Sequence, residues 1–79
     1  MRFSGEKLRT LREDAGLSQS ELARQVAAVG PEMSASSINA YEQDEVGDPS
    51  FTRVVAMARV LNVIPDRVQN AISDALFVE

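Results

Sequence analysis

Leu8, Leu11 and Ala15 recur three and four residues apart behind Ser4, and everything between them is polar. That spacing lays an apolar stripe along one side of an α-helix, and Gly16 supplies a left-handed stop, so a first helix is predicted over residues 5–15. Leu17 then returns to the core. Ser18-Gln19-Ser20-Glu21 has the form of a capping box, in which the Ser18 hydroxyl accepts from the Glu21 amide while the Glu21 carboxylate reaches back. Leu22, Val26 and Val29 continue the stripe of a second helix, which Gly30-Pro31 ends. Ser34 can cap a third, with Ile38 and Tyr41 inward and Ser36, Asn39, Ala40 and Gln43 on another stripe. One face suits packing, the other contact. After the turn Val46-Gly47-Asp48-Pro49, Ser50 caps a fourth helix carrying Val54, Met57, Ala58 and Leu61. A fifth is predicted from Pro65, burying Val68, Ile72, Ala75 and Leu76. No segment alternates as a strand does, and the branched run 60–64 reads as the junction between helices four and five.

The pattern predicts an all-α, five-helix fold built as a single domain over residues 1–79. Leu8, Leu22, Ile38, Tyr41, Val54 and Leu61 are its expected core, with Met33, Phe51 and Met57 as packing. At 79 residues the chain can bury only a marginally sufficient core, so help from a second subunit is expected. Leu76, Phe77 and Val78 stand consecutively and cannot all face one core, which points to residues 65–79 as the homodimer contact.

Composition removes most chemistry. The chain has no Cys and no His, and so no disulfide, thiolate nucleophile, imidazole base or customary zinc ligand. The acidic run Asp44-Glu45-Val46-Gly47-Asp48 lacks the alternating oxygens and closing glutamate of a calcium loop. No enzyme, cofactor or metal is expected. No apolar run approaches the ~20 residues of a membrane span, and "MRFSGEKL" carries no signal-peptide core, so a soluble, cytoplasmic protein is expected.

Charge complicates the choice of partner. The net charge is −4, and residues 25–50 hold five acids and no base. Arg2, Lys7, Arg9, Arg12 and Arg24 all precede that stretch. Counted blindly, such a balance argues against nucleic acid.

The runs "LRTLREDAGLSQSELARQV", "SSINAYEQ" and "PSFTRVVAMARVLNVIPDRV" together resemble the lambda-repressor and Cro-like (Xre-type) helix-turn-helix family from about Glu6 to Val68. The resemblance implies that helices two and three form a DNA-binding pair. Gln19 falls on the family glutamine that bonds a phosphate and braces the recognition helix. Ala35, Ser36 and Ala40 fall where members meet base edges in the major groove, with Ser37 and Asn39 beside them and Gln43 where the helix end meets the DNA backbone. Arg12 and Glu42 match a pair that bridges helices one and three in several members. Three departures stand out. The turn "AAVGPEM" is about five residues longer than usual, as in a longer-turn variant of the family in which Met33 fills the core. Asp44 replaces a frequent glycine, and the acidic loop behind it replaces a basic one.

Direct readout needs no cation, because Asn and Gln can pair with adenine through both amide atoms, Ser can donate or accept, and an Ala methyl can meet the thymine methyl. Affinity does need charge, and Arg9 and the other early bases, with helix N-termini at Ser18 and Ser34, would supply it. Two functions are therefore expected: a small Cro-like transcriptional regulator, dimeric on a near-palindromic duplex, or a protein-interaction module that keeps the fold without specific DNA binding.

Overall fold

Four serines start four helices. In the computed structural model, which describes residues 2–62 and 76–78, the order is β1 (Arg2–Phe3), α1 (Gly5–Asp14), α2 (Gln19–Val29), α3 (Ala35–Glu42), α4 (Phe51–Val60) and β2 (Phe77–Val78). Ser4, Ser18, Ser34 and Ser50 each occupy the N-cap, and each side-chain oxygen accepts from the amide three residues on. The capping box is complete, with Ser18 N–H donating to Glu21 Oε1 at 2.8 Å and Glu21 N–H to Ser18 Oγ at 3.0 Å. The Ser18 backbone N–H, and after it the Ser18 hydroxyl, hold the exposed Glu21 carboxyl below the usual range by stabilising its charged form.

α1 ends on Gly16 at φ 73°, where Leu17 N–H reaches Arg12 O. The end of α3 has the same form, with Asp44 at φ 58° and Glu45 N–H donating to Ala40 O at 2.9 Å. α2 packs against both α3 and α4, and α1 against α3. Leu8, Leu22, Val26, Ile38, Tyr41, Val54, Met57 and Leu76 are the largest side chains wholly inside, and Met33 lies partly buried against them. No helix among the described residues is long and apolar enough to cross a membrane.

Three expectations about packing are corrected. Ala15 is exposed, since it is the C-cap of α1 and the chain turns away there. Val29 and Phe51 are also outside, at 57% and 64% exposure. Val29 closes the extended end of α2 and Phe51 opens α4. Both line a shallow groove with Pro31 and Val55, and no described element covers it.

The expectation of no strand is corrected too. β1 and β2 form a short antiparallel ribbon, Arg2 opposite Val78 and Phe3 opposite Phe77. Two-residue strands are too short to show alternation. The ribbon is fastened by Ser4 N–H to Leu76 O at 2.6 Å and Lys7 Nζ to Phe77 O at 3.0 Å. Phe3 meets Tyr41 and Phe77 edge to face, with centroids 5.4 and 5.7 Å away. Leu76 is fully buried and Phe77 half-buried, so these two tail residues serve their own core. The fifth helix predicted from Pro65 falls largely on 63–75, outside the described residues.

Candidate nucleic-acid interface

α3 is anchored from one side and bare on the other. Ile38, Tyr41 and Glu42 are buried, whereas Ser36, Asn39 and Gln43 are exposed and Ala35, Ser37 and Ala40 half-buried. Ser37 is partly used in the cap, its hydroxyl 3.2 Å from that of Ser34 and its amide donating to the same oxygen. Ser36, Asn39 and Gln43 therefore form an open polar stripe at helical spacing, with the Ala40 methyl alongside.

Glu42 holds that stripe in place. A carboxylate at a helix C-terminus faces the negative end of the dipole and, 4% exposed, has lost its water. Arg12 answers both costs by donating from Nε to Oε2 at 2.5 Å and from Nη2 to Oε1 at 3.1 Å, while its Nη1 bonds Leu17 O at 2.8 Å. Gln19 Nε2 donates to Glu42 Oε1 at 3.1 Å and to Asn39 Oδ1 at 3.2 Å. Arg9 Nε stands 3.6 Å from Oε1, its side chain about half exposed. Three helices thus meet on one carboxylate. Burial alone would raise the pKa of Glu42, but the hydrogen bonds from Arg12 and Gln19 and the charges of Arg12 and Arg9 outweigh it and hold the group below the usual carboxylate range. The same pairing raises the Arg12 pKa.

A pH prediction follows from the direction of that shift. Because the folded pKa is depressed, the stability due to Glu42 is fully present above the unfolded value of about 4.3 and is lost as pH falls through the lower, folded one. Urea titrations from pH 7 to pH 3 are expected to show a steeper acid loss for the native chain than for Glu42→Gln. Equal slopes would refute the assignment.

The position of α3 also depends on a contact that sequence reasoning missed. A Cβ on Gly5 would collide with the carbonyl oxygens of Tyr41 and Glu42, so the start of α1 lies against the end of α3. Asp44 closes the joint, its Oδ1 accepting from Gly5 N–H at 2.8 Å. The left-handed cost of Asp44 is offset by that cap, which a glycine could not make. The available signal was Gly5 itself, a poor helix former directly behind a good N-cap.

A family model described as a helix-turn-helix domain matches residues 5–71. The chain belongs to the helix-turn-helix domain family. The match is consistent with the Cro-like resemblance. Comparisons with curated proteins and with solved structures gave no match. In this helix-turn-helix domain the expected site residues mostly converge. Arg12, Glu42, Gln19, Asn39 and Arg9 form one cluster, and Ser36 and Gln43 continue its exposed edge. Both amide hydrogens of Gln19 are engaged, so a phosphate would have to take one of them from Asn39 or Glu42.

Proposed function

We propose that this domain is a small sequence-specific transcriptional regulator that reads the major groove of duplex DNA with α3. Ser36, Asn39, Ala40 and Gln43 meet base edges, Ala35 and Ser37 lie at the entering end, and Arg9 supplies charge beside them. The observation that carries this reading is the open stripe on a helix braced from behind by Arg12, Gln19 and Glu42. A helix of a helix-turn-helix domain that is held this firmly and left bare on one side is built to meet a surface. Gln19 acts here chiefly as a brace. The protein binds as a homodimer, with contact through residues 65–79 apart from Leu76 and Phe77, which serve their own core, on a near-palindrome of half-sites one DNA turn, about 34 Å, apart.

Selection of bound duplexes from a random pool at about 100 mM salt tests the reading. The expected result is a motif of two related half-sites, with a salt slope of about −2 to −5, since few bases neutralise few phosphates. Ser36→Ala relaxes discrimination at one position by ~1–3 kcal/mol, whereas Arg9→Ala weakens all sequences alike. The absence of bases from residues 25–50 favours the competing reading, a protein-interaction module. Failure to enrich any motif with folded protein would decide for it.

A further inference from the structure

The side-chain amide of Gln19 has no freedom of orientation. Ionised and buried, Glu42 can only accept, so the atom 3.1 Å from its Oε1 is a donor, Nε2. The second hydrogen of that NH2 group points to the atom 3.2 Å away on Asn39, which must then be the acceptor, Oδ1. Asn39 is thereby obliged to turn its Nδ2 away from Gln19. Asn39 is exposed, and its Nδ2 has no hydrogen-bond partner among the described residues. One buried carboxylate thus sets, through two amides, the polarity of the central group on the exposed stripe.

That polarity changes what the residue can recognise. An asparagine free to turn pairs with adenine by accepting from N6 and donating to N7. With its oxygen turned toward Gln19, Asn39 presents its two amide hydrogens outward, and guanine is the base that shows two adjacent acceptors, N7 and O6, in the major groove. We infer that Asn39 is a specificity-determining residue for guanine, its amide held in the donor orientation by Gln19 and, behind it, by Glu42. The inference rests on the major-groove reading proposed above.

The test compares motifs selected from a random duplex pool by the full chain and by Asn39→Asp, Asn39→Ala and Gln19→Ala. Asn39→Asp keeps an oxygen for Gln19 but replaces the outward donor with a charged acceptor, so Asn39→Ala, which removes the donor without adding charge, is read beside it. The native chain is expected to select a guanine whose exchange for adenine weakens binding about tenfold, the size of one good base contact. Both Asn39 variants lose that preference and retain the rest of the motif, while Gln19→Ala, which lets the amide turn, accepts adenine there about as well as guanine. If the Asn39-dependent base is adenine in the native motif, or if the guanine preference survives both Asn39 variants, the inference is overturned and the DNA reading stands. If no motif is enriched, both fall. The orientation is also tested without DNA, by hydrogen exchange of the side-chain amides. Gln19 is expected to exchange several-fold more slowly than the exposed Gln25, and equal rates would overturn the inference.

Discussion

Glu42→Ala is expected to lower folding stability by about 3–5 kcal/mol, the range for removing one partner of a buried ion pair. The loss comes from what remains. Arg12, whose side chain is only 12% exposed, keeps its charge but loses both bonds to the carboxylate, and Gln19 loses the acceptor that orients it. Arg12→Ala should cost a similar amount for the complementary reason, because Glu42 would then sit at the negative end of α3 with only Gln19 and a more distant Arg9 in compensation. The double variant should cost clearly less than the two singles together, since neither charge is left stranded. Urea denaturation of all four proteins checks this, and purely additive losses would show that the pair does no structural work. DNA discrimination should fall along with stability in Glu42→Ala, because Asn39 then loses its fixed orientation.

Gly5→Ala is expected to destabilise the protein by about 3 kcal/mol, at the upper end of what overpacking costs. The sign makes the experiment sharp. Helix propensity alone predicts a gain of about 0.5–1 kcal/mol for glycine to alanine within a helix. Here the added methyl would meet backbone oxygens of Tyr41 and Glu42, which cannot swing aside as a flexible side chain could. α1 would have to separate from α3, taking with it the Asp44 cap and the Arg12–Glu42 pair. Gly47→Ala is the matched control, because its Cβ would enter open space, and little change is expected. Thermal unfolding of both variants checks the prediction; a neutral or stabilising Gly5→Ala would overturn the close approach.

The two halves of this molecule differ in how openly the chain declares them. Helix starts are local events, a serine oxygen meeting an amide three residues ahead, and three of the four described caps were legible from Ser18, Ser34 and Ser50, while the first helix was placed behind Ser4 by its apolar spacing. The inward stripe of α3 was legible because Ile38 and Tyr41 lie three apart, as was the polar stripe opposite. The Arg12–Glu42 pair, 30 residues apart in sequence, was reached through the family resemblance and not from spacing. The ribbon of Phe3 with Phe77 and the Gly5–Asp44 joint left no periodic trace, because each joins a few residues across a long loop of chain.

By itself, then, the sequence determined the order of the four described helices, most of their buried faces, and an open polar face on α3 with amides and hydroxyls but no cations. Local hydrogen bonding and side-chain periodicity are enough to specify those. Only the tertiary structure decided that Val29 and Phe51 lie outside, that Leu76 and Phe77 return to the amino terminus, and that Gln19 turns its amide towards Glu42 and Asn39. Such outcomes depend on which distant groups compete for the same space and the same hydrogen bonds. A buried carboxylate that can only accept settles that competition for Gln19, and through it for the face of α3 that Asn39 presents.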